Sequence, residues 1–243
     1  MAYACCIRNI SKPQAFNMLM NSFKSIVKNL EDEKPRVVEA TIALLRDVAE
    51  YHHEVLISDE LIKSYYKGFL EMIEGTDLPI AAGVISIFEK LAEKLSFDEV
   101  HRIEHLPDFF EQLSITLLNL STAERKSIQD YSLAIDSVFK TMVPLTTNCL
   151  DKNQILNLLP KFKTGIEFAL ETHGERRILL SEGLLMSSGI GIQKVKTFKM
   201  NVNQDLLLSL NHLAVRVMNT AKGILPEAIF CMSTVAACKL KLT

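Results

Sequence analysis

Apolar residues follow the period of an α-helix along almost the whole chain, and this pattern constrains the fold more than any other feature. Phe16, Met20, Phe23, Val27 and Leu30 recur at steps of three and four residues. Such steps place side chains on one face of a helix. The same spacing recurs at residues 37–48, 61–73, 80–95 and 131–142. No segment shows the alternation of a half-buried strand, so the sequence predicts an all-α protein.

The connections between these segments are short and polar. The stretches NLEDEKPRV, MIEGTDLPI, NLSTAERKS and LETHGERRI each leave four to six polar or turn-forming residues between two helices, which favours antiparallel helix hairpins. The last apolar residues of successive first helices lie 43, 47 and 50 residues apart, close to the period of about 40–47 residues of HEAT repeats. We expect one superhelical solenoid, HEAT/armadillo-like, over residues 1–243, with hairpins at about 13–55, 58–97, 104–145, 151–190 and 203–240.

Prolines mark where several of these helices begin. Pro35 and Pro79 lie in hairpin turns, and proline is tolerated in the first turn of a helix because that turn leaves its amide groups unbonded. The phrases LPDF and LPKF place Pro107 and Pro160 in related settings in two first helices. These two prolines predict either a helix start or a bend.

Charge and hydropathy exclude several classes of function. Lysine and arginine total 27 against 29 acidic residues, so no overall positive field draws the chain onto nucleic acid or anionic lipid. Charged residues interrupt every apolar run before the roughly 20 residues of a membrane span. The start MAYACCIRNI lacks the pattern of a secretory signal. These features predict a cytoplasmic protein without a membrane span or a nucleic-acid partner.

The cysteines Cys5, Cys6, Cys149, Cys231 and Cys238 are scattered and form no C-x-x-C pair, so they indicate neither a disulfide framework nor a zinc knuckle. Cys231 and Cys238 lie seven residues apart on one helix face, where small thiols in a packed seam are the simplest interpretation.

The stretch HRIEH is the one candidate for metal chemistry. His101, Glu104 and His105 have the residue types of an H-x-x-E-H zinc-peptidase motif, with the glutamate as general base. A zinc hydrolase is the least favoured hypothesis, because Leu106-Pro107 follows at once and a helix interrupted there would not hold both histidines. We expect a short connector or helix start with the polar residues in water and Ile103 packed inward.

No other motif predicts catalysis. SSGIGIQK lacks the third glycine of a dinucleotide site and the Gly-Lys-Ser/Thr of a P-loop. Gly189 and Gly191 are therefore expected to end a helix. Ser181 lies in LSEGL and not in a G-x-S-x-G elbow. The sequence predicts a protein that is not an enzyme and that needs no cofactor.

Two long segments resemble a known family. Residues Leu30 to Leu56 and Glu60 to Leu95 resemble HEAT repeats of importin-β, the karyopherin-β nuclear transport receptors, and LLPKFKTGIEFALETHGERRILLSEGLL resembles a later repeat. The likeness covers roughly residues 13–190, as an internal piece or a reduced relative of about five repeats. The chain has no tryptophan, so the cargo-side tryptophans have no counterpart, and Ile42 and Ile85 stand in that neighbourhood. The acidic stretch at residues 31–33 is the nearest counterpart to the loop that contacts the small GTPase Ran.

The resemblance implies a protein-binding module whose partners are nucleoporin Phe-Gly repeats, cargo or Ran, located in the cytoplasm, the nucleus or at the nuclear envelope. By position on adjoining first helices, Tyr66, Phe69, Phe109 and Phe110 are candidates for binding Phe-Gly segments. Their alternative role is ordinary core between repeats. The alternative function is a HEAT scaffold that organises a cytosolic complex, as in phosphatase or translation-regulating assemblies.

Overall fold

The chain folds into helices joined by short turns. The computed structural model describes residues 11–75, 77–122, 128–171, 175–198 and 200–239, and these form helices with no strand. The helices are α1 Lys12–Lys28, α2 Pro35–Tyr51, α3 His53–Leu56, α4 Asp59–Glu74, α5 Leu78–Lys94, α6 Phe97–Arg102, α7 Leu106–Thr122, α8 Ile128–Pro144, α9 Lys152–Glu171, α10 Glu175–Thr197, α11 Gln204–Ala221 and α12 Pro226–Lys239. A 3-10 turn follows α1 at Asn29–Glu31, and a π turn follows α8 at Leu145–Cys149. The all-α prediction is confirmed.

The long helices form two rows. The first helices α1, α4, α7, α9 and α11 alternate along the chain with the second helices α2, α5, α8, α10 and α12. Among the first helices, α4 contacts α7, α7 contacts α9 and α9 contacts α11. Among the second helices, α2 contacts α5, α5 contacts α8, α8 contacts α10 and α10 contacts α12. The packing of helix pairs on their neighbours in sequence is compatible with a helical repeat.

The helix starts follow from local chemistry. Pro35 is the first residue of α2 and Pro79 the second residue of α5, as the sequence predicts. The Asp77 carboxylate accepts a hydrogen bond from the Ile80 amide at 3.1 Å and caps α5. Pro107 likewise lies in the first turn of α7, whereas Pro160 lies inside α9 and does not begin a helix.

The expectation that Gly189 and Gly191 end a helix is wrong. Both lie inside α10, which continues to Thr197. A Cβ atom at Gly189 would lie 2.7 Å from Phe230 and 3.3 Å from the Cys231 backbone on α12, and one at Gly191 would lie 2.8 Å from Ile155 on α9. These glycines serve close helix packing, a need that local sequence does not reveal.

The described cysteines are free thiols. Cys231 is buried on α12, and Cys238 on the same helix packs against the core, which confirms the packed seam. Cys149 is buried in the π turn. Cys5 and Cys6 lie outside the described residues.

Membrane insertion through a helix finds no support within the described ranges. None of the helices formed there combines the length and the apolar character that crossing a bilayer requires.

Candidate binding grooves on the second helices

The four aromatic residues singled out from the sequence come together in the core. Tyr66 and Phe69 of α4 lie 6.2 Å apart between ring centroids, and Tyr66 lies 4.2 Å from Phe109 of α7. Phe110 follows with its ring 5.5 Å from that of Phe109. The exposed fractions are 3% for Tyr66, 2% for Phe69, 7% for Phe109 and 0% for Phe110. An open aromatic groove is therefore not formed here, and the structure assigns these residues to packing.

A buried hydrogen bond fixes the centre of this cluster. The Tyr66 hydroxyl donates to the carbonyl oxygen of Leu56 at 2.6 Å. Burial raises the pKa of Tyr66 far above its ordinary value, so the phenol stays neutral. Because its hydroxyl and ring are both engaged inside the protein, Tyr66 offers no contact to a partner.

The HRIEH stretch does not form one helical face. Helix α6 ends at Arg102, so His101 is helical while Glu104 and His105 lie in the following turn. His105 has a φ of 68°, which turns the backbone away from helical geometry. His101, Glu104 and His105 are exposed, and Ile103 packs against the core. The predicted connector is confirmed.

The side chain of His101 is engaged locally. Its ring stacks on that of Phe97 with centroids 3.9 Å apart, and its Nδ1 lies 2.9 Å from the Phe97 carbonyl oxygen. Across the described part of the chain, no group of three or more His, Cys, Asp or Glu side chains could hold a metal ion.

An open groove lies between the starts of α2 and α5. This α2–α5 groove has a volume of about 460 Å³. It is lined by Asp32, Glu33, Pro35, Val38, Glu39, Ile42, Asp77, Pro79 and Ile80. The floor is aliphatic, with Val38 buried and Ile42 and Ile80 half-buried, whereas the two prolines and the four carboxylates are exposed.

The local sequence explains this combination. Both α2 and α5 begin with an acidic residue followed closely by proline, in DEKP before α2 and DLP before α5, so both helix starts present carboxylates and a pyrrolidine ring. Ile42 contacts the position of Gly83 on α5, which lets the two helices approach below the groove. None of the ion pairs formed between described residues involves the four carboxylates. Among the described residues, the rim therefore presents four carboxylates outside any ion pair beside an aliphatic floor.

A second groove lies further along the same row of helices. This α8 groove has a volume of about 330 Å³. It is lined by Glu89, Glu93, Phe139, Lys140, Val143, Pro144, Met186 and Glu227. The residues come from α5, α8, α10 and α12, and the floor consists of half-buried apolar side chains.

Burial disfavours the charged forms of two carboxyl groups at the α8 groove. Burial and the nearby Glu93 raise the pKa of Glu89, although Lys90, Lys140 and Arg46 act in the opposite direction. Burial and Glu227 likewise raise the pKa of Glu182, which precedes Met186 by one turn of α10. A raised carboxyl pKa means that the surroundings disfavour the anion. A cation that bound beside Glu89 and Glu182 would favour their charged forms.

A third groove, between α1 and α2, carries no charge. This α1–α2 groove has a volume of about 410 Å³ and is lined by Met18, Leu19, Asn21, Ser22, Ser25, Ile26, Asn29 and Leu44. Its amides and hydroxyls are exposed, and the aliphatic residues beneath them are buried or half-buried.

The sequence gives only a partial signal for these sites. The acidic stretch at residues 31–33 draws attention to one end of the α2–α5 groove, but its partner Asp77 comes from a turn more than 40 residues later. The α8 groove joins residues of four helices, and no local motif marks it.

Comparison with protein-family models and with curated proteins identifies no similar protein. No protein-family model matches the chain, and no curated protein is significantly similar to it in sequence.

Proposed function

We propose that this chain is a protein-binding helical-repeat module in which five helix pairs stack into a HEAT-like superhelical solenoid. The α2–α5 groove carries this proposal, because it combines an acidic rim with an aliphatic floor between two neighbouring second helices. Such a groove suits an extended segment of a protein in which a lysine or arginine stands beside aliphatic side chains.

The resemblance to importin-β gives this binding a context. In a transport receptor segment, the α2–α5 groove would receive cargo or Ran, and Phe-Gly repeats would bind elsewhere because the candidate aromatic residues are buried. The α1–α2 groove suits such a neutral segment, since its lining combines uncharged amides and hydroxyls with aliphatic residues. The receptor would act in the cytoplasm, the nucleus or at the nuclear envelope.

A cytosolic scaffold is the second candidate. The absence of tryptophan from the chain favours it, because the family's cargo-side tryptophans are missing. A scaffold would use the same acidic groove for a permanent partner and would respond neither to Phe-Gly peptide nor to Ran-GTP.

Peptide binding tests the proposal. The probe is a labelled twelve-residue peptide that carries Leu-Lys-Leu once among glycines and serines, measured by fluorescence anisotropy at low and high salt. We expect binding that weakens with salt and that is lost when Leu-Glu-Leu or Ser-Lys-Ser replaces the central unit.

Matched variants locate the site. Glu33→Gln combined with Glu39→Gln should weaken binding at least threefold, whereas Glu60→Gln combined with Glu71→Gln, on the exposed surface of α4, should leave it unchanged. Absence of binding at high micromolar protein, or equal binding by both double variants, would reject the α2–α5 groove as the site. A Phe-Gly peptide with a Phe-to-Ser control, and Ran-GTP as competitor, then separate receptor from scaffold.

A further inference from the structure

The two acidic grooves share one helix. Helix α5 contributes Pro79 and Ile80 to the α2–α5 groove and Glu89 and Glu93 to the α8 groove. The positions in the two grooves are nine to fourteen residues apart in the sequence, which corresponds to about 14–21 Å along an α-helix at 1.5 Å per residue. One partner segment can therefore reach both grooves.

The exposed surface of α5 connects the grooves. Pro79 and Glu93 are exposed, and Ser86 and Lys90 are half-buried between them. These residues follow steps of three, four and seven and so share one helix face. Lys90 is paired with Glu93 at 2.7 Å, which neutralises the one basic side chain on that path.

The charge of the α8 groove points to the chemistry of its occupant. Three carboxylates, from Glu89, Glu93 and Glu227, line the groove together with Lys140, and Glu93 is paired with Lys90. Burial is the main cause that raises the pKa values of Glu89 and of the neighbouring Glu182, and a cation placed beside them would favour their charged forms. The floor of Phe139, Val143, Pro144 and Met186 suits an aliphatic stem, and an aromatic ring attracts a cation.

We infer that the α8 groove binds a second lysine or arginine side chain of the same segment that occupies the α2–α5 groove. This inference rests on the proposed function and adds a second attachment point to it. An extended chain advances about 3.3 Å per residue, so the two cationic residues of the partner are separated by about four to six residues. The partner is thus a protein segment with two spaced cationic positions, each beside aliphatic residues.

The test is how the affinity of a peptide depends on the spacing between its two lysines. A general attraction to negative charge would not produce such a dependence. The probes are the peptide described above, which carries one Leu-Lys-Leu unit, and peptides that carry two such units. In the two-unit peptides, the lysines lie two, six or twelve residues apart. We expect the six-residue spacing to bind at least tenfold more tightly than one unit, because the second contact becomes intramolecular. The two-residue spacing cannot span the grooves and should bind no more than about twofold better than one unit, the statistical gain from a second equivalent site.

Two variants test the α8 groove itself. Glu227→Gln and Glu89→Gln should each reduce binding of the six-residue peptide toward the one-unit level and leave one-unit binding unchanged. The control is Asp205→Asn, because Asp205 is also an acidic residue in the first turn of a helix, α11, but lies outside the groove. It should alter neither affinity.

The outcomes separate this inference from the proposed function. If the one-unit peptide binds through Glu33 and Glu39 but no spacing adds affinity, the α8 groove is not a second site and the proposed function stands. If the six-residue peptide binds tightly and Glu227→Gln has no effect, the second contact lies elsewhere and the inference is wrong. If no peptide binds, both proposals fall.

Discussion

The ammonium group of Lys194 on α10 donates to the backbone carbonyl oxygen of Thr146 at 2.8 Å, in the π turn that follows α8. It also donates to the carbonyl oxygen of Thr147 at 2.5 Å and lies 5.6 Å from the centre of the Phe97 ring. The turn follows Pro144, which has no amide hydrogen with which to continue an ordinary helix. One side chain thus satisfies carbonyl groups that the irregular backbone leaves open. Burial lowers the pKa of Lys194.

Replacing Lys194 should therefore destabilise the protein. Lys194→Met keeps an apolar stem of similar length but removes both charge-assisted hydrogen bonds, and we expect a loss of about 1–3 kcal/mol in the free energy of unfolding. Denaturant unfolding measures this loss. The control Lys161→Met, at an exposed position of α9, should cost less than about 0.5 kcal/mol, and equal effects of the two substitutions would contradict the role given to Lys194.

Two glycines in helix interiors should respond in opposite directions to alanine. At Gly189 the added methyl group would lie 2.7 Å from Phe230 and 3.3 Å from the Cys231 backbone, so Gly189→Ala should cost about 1–3 kcal/mol through overpacking. At Gly68 on α4 a Cβ atom meets nothing within 4 Å, so Gly68→Ala should stabilise by about 0.5–1 kcal/mol. Thermal unfolding of both variants checks the opposite signs, and a shift in the same direction would contradict the close packing of α10 on α12.

Tyr66 should matter for stability and not for binding. Tyr66→Phe leaves the Leu56 carbonyl without its 2.6 Å donor, and a buried acceptor without a partner costs about 1–3 kcal/mol. Tyr65→Phe is the control, since Tyr65 is half-buried and its hydroxyl bonds no other described residue. A loss of Phe-Gly peptide affinity in folded Tyr66→Phe protein would show that the cluster opens to partners.

Glu89 should make stability depend on pH. Its pKa is raised by burial and by Glu93, so the folded protein holds this proton more tightly than the unfolded chain. The protonated form of Glu89 contributes its full stabilisation below the ordinary glutamate pKa of about 4.3. This stabilisation is lost as the pH rises through the raised pKa of Glu89 in the folded protein. Glu89→Gln should therefore increase the melting temperature at pH 7, and the increase should disappear near pH 4. An equal increase at both values would locate the effect in packing instead of charge.

The helical period predicts the all-α class, and the prolines predict several helix starts. Pro35 and Pro79 begin their helices because local sterics decide these positions. The sequence does not predict the role of Gly189 and Gly191, because these glycines pack against Phe230 and Ile155, which are distant in sequence.

Contacts between residues distant in sequence also limit the prediction of the candidate sites. Large aromatic residues at helical spacing predict contact between helices, but the sequence does not say whether the contact is open to solvent, and the structure buries Tyr66 and Phe109. Glu89 and Glu227 come together only through the stacking of four helices.

The order of the helix pairs also has a mechanical consequence. Each pair is held mainly by its neighbours in sequence, α5 by α2 and α8, and α10 by α8 and α12. A force that pulls on the two ends would therefore act on the interfaces between neighbouring helix pairs, one after another. No parallel strands of a sheet would share it among the described residues. As the proposed solenoid, the array would extend by small rotations at each interface before any single core broke. A partner that bound in both acidic grooves would hold α2, α5 and α8 together and make that part of the array more rigid.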